Sequence, residues 1–108
     1  MMAYPTTPDG RYFVVKEQLW RCSNPSLDGD VRERWVKRLM EARRAVRAAK
    51  AAGDTAALRQ ARAEVNTAKV GLGERGTVWW DDGAPDFNRY KVINTPYRQW
   101  YEAWPGRV

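Results

Sequence analysis

The stretch DGDVRERWVKRLMEARRAVRAAKAAGDTAALRQARAEVNTAKVGL, residues 28–72, decides the fold. Apolar residues recur at Val31, Trp35, Leu39, Ala42, Val46 and Ala49, three or four positions apart, which is one face of a helix. Asp28 or Ser26 can cap its start, and Asp30 and Glu33 put negative charge at the positive end of the helix dipole. Gly53 stops it, and Asp54 or Thr55 starts a second helix. There Leu58, Ala61, Val65, Ala68 and Leu72 form a heptad-like seam. Gly71 weakens the last turn, and Gly73 suits a left-handed helix end. The short link Ala52-Gly53-Asp54 makes helices 28–52 and 54–72 an antiparallel αα-hairpin. At about three heptads each, they must lean on the rest of the chain.

Outward from this hairpin, residues 1–10 read as an irregular lead ending in a turn at Asp9-Gly10. Arg11 to Val15 is rich in β-branched and aromatic side chains, Lys16-Glu17 can turn the chain and Gln18 to Cys22 can return, which predicts a short β-hairpin ended by Ser23-Asn24-Pro25. After the helices, 74–80 can hold a third strand near 77–80, and Asp81 to Pro85 is turn-forming. Pro85–Tyr90 suggests one helical turn. Thr95 with Pro96 at the next position predicts the start of a short final helix, closed by Pro105-Gly106. The expectation is an α+β fold in one small domain, 1–108: a β-hairpin packed on a long αα-hairpin, plus a short C-terminal helix. No internal repeat is visible.

The composition narrows the chemistry. The 108 residues hold 19 basic and 13 acidic side chains, a net charge of +6, with no histidine and one cysteine. A disulfide framework within the chain, Cys/His zinc sites and His-based nucleophilic catalysis are therefore excluded. Thirteen aromatics, six of them tryptophan, argue for a packed core rather than disorder. No apolar run is long enough to cross a membrane, and Met1-Met2-Ala3-Tyr4-Pro5 does not read as a secretory signal, so the chain is expected to be cytoplasmic. Cys22 beside Arg21 reads as a small buried hydrophobe near a strand end. The positive charge is uneven: residues 28–53 carry eight basic against four acidic side chains, while 74–108 balance at five each.

Residues 5–15 (PTTPDGRYFVV), the run from Gly73-Glu74-Arg75-Gly76 through Trp79-Trp80-Asp81-Asp82-Gly83-Ala84-Pro85-Asp86-Phe87-Asn88-Arg89, and Asn94-Thr95-Pro96-Tyr97 resemble a family of short bacterial proteins. Some members carry a biopolymer-transporter label, which nothing in this sequence supports. The resemblance covers nearly the whole chain. It implies a compact, stand-alone bacterial protein and supplies no catalytic residues.

Four constellations are candidates for function. Arg43, Arg47 and Lys50 line one stripe of the first helix, and Lys37 and Arg44 another, flanked by Arg34 and Arg38. Such a stripe can follow a phosphate backbone, or it can be a solvated face partly neutralised by Asp30–Arg34 and Glu33–Lys37 pairs. No helix-turn-helix, RNP or zinc-finger pattern accompanies it. Most aromatics of the C-terminal third should be core, with Trp80, Tyr101 and Trp104 expected as an exposed patch for a partner. Asp81, Asp82 and Asp86 match no metal-loop spacing and read first as turn chemistry. Gly71, Gly73 and Gly76 imitate a dinucleotide fingerprint but close a helix instead of opening one. The expectation is a non-enzymatic protein-interaction or structural module with no metal or cofactor, acting through a protein partner or self-association. Nucleic-acid binding through the basic face is the alternative.

Overall fold

Alternating side chains between Arg11 and Cys22 make a two-stranded antiparallel hairpin, β1 (Tyr12–Val15) and β2 (Gln18–Arg21), with Tyr12 opposite Arg21 and Val14 opposite Leu19. These elements come from a computed structural model, which describes residues 4–105. Met1, Met2, Ala3 and Gly106 lie outside the described residues. The turn residues Lys16 and Glu17 both have positive φ, 51° and 66°, as a two-residue type I′ turn requires. Neither is glycine or asparagine, so the left-handed conformation costs about 1 kcal/mol or more per residue. Replacing Lys16-Glu17 by Asn-Gly is expected to raise unfolding stability by about 1 kcal/mol, read as a higher denaturant midpoint at unchanged slope.

Both edges of the hairpin are covered by other segments of the chain. Thr6 bridges Phe13 beside β1, and Lys91 bridges Gln18 beside β2. Backbone bonds extend both contacts: Val14 N donates to the Pro5 carbonyl, Leu19 N to that of Tyr90 and Val92 N to that of Glu17. This corrects the expected third strand: 77–80 is irregular, and the β2 edge it would have used is occupied by residues around Lys91. The expected helical turn at Pro85–Tyr90 is also absent. Asp86 accepts a hydrogen bond from Asn88 N, Asn88 accepts one from Arg21 N, and Arg89 turns the chain at φ 75°.

The hairpin, closed by the chain from Trp80 onward, forms one of two compact units; the other is Ser23–Trp79. At the centre of the first, Tyr12 is fully buried, its ring edge-on to Trp80 and Tyr97 at centroid distances of 5.7 and 5.6 Å. Its hydroxyl accepts a bond from Phe87 N at 2.8 Å, and burial pushes its pKa up to about 12, so it stays protonated at physiological pH. Asp9 is half of a second polar contact. Burial pulls its carboxyl up, but bonds from Tyr97 Oη, Thr7 Oγ1 and Arg11 N outweigh this and hold its pKa below 3.8. The folded-state value lies below the unfolded one. The contribution to stability is therefore present above pH 3.8 and lost as pH falls through the folded value. In an acid titration of the melting temperature, Asp9→Asn is expected to fall less steeply below pH 3.8 than wild type; equal slopes would remove Asp9 from the account.

A 3₁₀ turn at Val92–Asn94 precedes the last helix, α3 (Arg98–Glu102). Thr95 Oγ1 accepts Tyr97 N as a cap does, but the first turn closes in the tighter 3₁₀ manner, with Arg98 N on the Thr95 carbonyl. The regular helix thus starts two residues after Pro96.

In the second unit, α1 (Gly29–Ala52) and α2 (Thr55–Leu72) pack antiparallel. Asp28 occupies the N-cap of α1 without a side-chain bond, whereas the Asp54 side chain caps α2 by accepting Ala57 N. Gly53 and Gly73 end the helices in left-handed conformations. The seam positions are buried or half-buried throughout, centred on Leu39, Ala68 and Leu72 with Leu27, Trp35 and Val65 packed around them. The Trp35 ring lies directly over Gly71: a Cβ placed there would meet ring carbons at 2.3 Å. Among the described residues, no helix is long and apolar enough to cross a membrane.

Candidate cationic groove

Helical spacing places cations beside both seams. On α1, Arg43, Arg47 and Lys50 lie one residue beyond Ala42, Val46 and Ala49, and so flank the buried face on one side. On α2, Arg59, Arg62, Asn66 and Lys69 recur at three, four and three, and flank that seam in the same sense. In an antiparallel pair these two flanks share one side of the hairpin. There the helices leave an open groove of about 390 Å³, lined by Arg43, Arg62 and Arg75 and floored by Val46 and Val65. Arg75 reaches back from the loop after α2, its Nη1 donating to Asn66 Oδ1 at 3.3 Å.

Lys69 belongs to the same cationic neighbourhood. Burial, then repulsion from Arg75 and Arg43, lowers its pKa, and Glu74 only partly offsets this. Glu74 is itself engaged, accepting a bond from Ser23 Oγ at 2.8 Å. Closely grouped cations over an apolar floor form a site of positive potential. An anion entering it relieves that mutual repulsion and finds three guanidinium groups suited to bidentate carboxylate or phosphate contacts.

The structure separates the expected basic residues. Arg43 lines the groove, and exposed Arg47 and Lys50 continue its stripe toward Gly53. Lys37 and Arg44, also exposed, lie one heptad apart on the side of α1 turned away from the seam. Arg38 stacks over the Trp35 ring at 5.0 Å. Sequence reasoning missed Arg62, Lys69 and Arg75. The spacing of the α2 cations was readable, since they track their seam as Arg43 tracks its own. Arg75, in a loop, carried no such signal.

Of the expected aromatic patch, Trp80 is corrected: it is 9% exposed, donates Nε1–H to the Ala84 carbonyl and lies under the Arg11 guanidinium at 4.7 Å. Its indole has these partners because the turn from Asp82 to Ala84 folds back over it. Tyr101 is half-buried, and Trp104, 37% exposed, packs beside Trp100. The three aspartates divide. Asp82 pairs with Arg11, which holds its carboxyl below the usual range, and accepts Ala84 N. Asp86 pairs with buried Arg21 at 2.9 Å, and Asp81 is exposed. Among the described residues, no three His, Cys, Asp or Glu side chains gather to hold a metal ion.

No family model, curated protein or solved structure matches this chain.

Proposed function

We propose that this chain is a non-enzymatic binding module whose αα-hairpin captures an acidic partner protein. The observation that carries the reading is the groove itself: Arg43, Arg62 and Arg75 ring a floor made by Val46 and Val65. An apolar floor suits an apolar anchor, and the cations around it suit carboxylates flanking that anchor. Among the described residues, the groove is lined by arginines and valines and by no aromatic ring on which a base would stack. Self-association through this face is disfavoured, because a second copy would bring the same cations against it. A reducing bacterial cytoplasm is the proposed setting, one in which the lone Cys22 thiol is ordinary.

Nucleic-acid binding is the second reading, favoured by one observation. The exposed run Arg43, Arg47 and Lys50 extends the positive surface beyond the groove, as a phosphate backbone would require.

Arg43→Glu with Arg62→Glu is expected to keep the fold and to abolish capture of acidic protein by the immobilised chain. The measurement is pulldown with and without nuclease at two salt concentrations. Retention after nuclease, loss in the double variant and weakening at high salt support the proposal. Loss on nuclease treatment transfers it to the second reading.

A further inference from the structure

We infer that the acidic partner presents an amphipathic α-helix, which lies in the groove as a third helix beside α1 and α2. This rests on the reading of the groove as a docking site for acidic protein.

The first argument is backbone chemistry. Both walls of the groove are helices, whose peptide groups are bonded along their own axes. An extended segment laid on Val46 and Val65 would find no strand edge to pair with, and its N–H and C=O groups would be desolvated without partners. A helix satisfies its backbone internally and brings only side chains to the floor. A cleft between two antiparallel helices also suits ridges-into-grooves packing of a third.

The second argument is the pattern of exposed apolar residues. Val36 and Met40 are 37% and 54% exposed, and with Arg43 and Arg47 they follow a four, three, four spacing. The stripe that enters the groove is therefore apolar in its N-terminal half and cationic beyond. A partner helix with apolar residues at i, i+3, i+4 and i+7 meets Met40 and the two valines along one line, with its carboxylates falling on Arg43, Arg62 and Arg75 to either side. The shorter wall, α2, has 18 residues and so runs about 27 Å, which sets the partner helix at about five turns.

The probe is a labelled peptide of about 18 residues with leucine at i, i+3, i+4 and i+7 and glutamate elsewhere, matched to α2 in length. Its controls are a scrambled peptide of the same composition and a random single-stranded oligonucleotide. Fluorescence anisotropy on the full chain is expected to show the patterned peptide binding at least about tenfold more tightly than the scramble, a difference of about 1.4 kcal/mol. Helical circular dichroism should rise on mixing. Met40→Gln should erase the advantage of the patterned peptide and leave the scramble little changed, while Arg43→Glu with Arg62→Glu should weaken both. Equal binding of patterned and scrambled peptides overturns the helix but leaves the acidic-partner reading in place. Binding of the oligonucleotide alone, or of none of the three, overturns both.

Discussion

Asp86→Ala is expected to lower unfolding stability by about 3 kcal/mol, the lower end of what breaking a buried ion pair costs. The Arg21 side chain is fully buried, with Nη1 2.9 Å from the Asp86 carboxylate. Removing the acid takes away the carboxylate that faces this desolvated guanidinium at Nη1. The carboxylate is 39% exposed, and that solvent access keeps the loss from the top of the range. The same carboxylate accepts Asn88 N at 2.9 Å, and its Oδ1 lies 3.4 Å from Tyr12 Oη, so the variant also loosens the turn that lays residues 87–92 along β2. Chemical denaturation of Asp86→Ala, Arg21→Met and the double variant measures the coupling. The double variant should lose much less than the sum of the singles, because it leaves no buried charge behind. A loss below about 1 kcal/mol in Asp86→Ala would put the pair in the class of surface ion pairs and overturn the claim.

Gly71→Ala is expected to destabilise the chain by about 1–3 kcal/mol, the usual cost of overpacking. Helix propensity alone predicts the opposite, since alanine is favoured over glycine inside a helix by about 1 kcal/mol. The decisive contact is the Trp35 indole, whose Cε2 and Cδ2 lie 2.3 and 2.4 Å from where a Cβ would stand. Relief would require the ring to leave its place against Leu39, Ala68 and Leu72. In a Trp35→Leu background the sign should reverse, with Gly71→Ala neutral or stabilising. The same sign in both backgrounds would show that the ring is not what excludes the methyl group. Gly71 read as a weak point in the sequence, and the structure gives it a steric reason.

How much of the fold was legible follows from the range of each signal. The α1 and α2 seams are patterns within one helix each, and every position expected on them is buried or half-buried. Burial of Arg21 was also within reach, because period two from Leu19 puts it on the inward face of β2. Its partner was not, since Asp86 lies 65 residues away in an irregular segment. The groove was half legible: the Arg43 and Arg62 stripes are local, but their convergence depends on how two helices face each other, and Arg75 arrives from a loop.

The sequence by itself determined the αα-hairpin, its caps and seams, the β-hairpin and the exclusion of histidine and cystine chemistry. Each depends on residues a few positions apart or on composition. Only the tertiary structure decided that the segments around Thr6 and Lys91 cover the hairpin edges, that Trp80 is interior, and that Arg43, Arg62 and Arg75 meet over Val46 and Val65. Those outcomes are set by steric fit and edge pairing between segments distant in sequence, and no local periodicity encodes them.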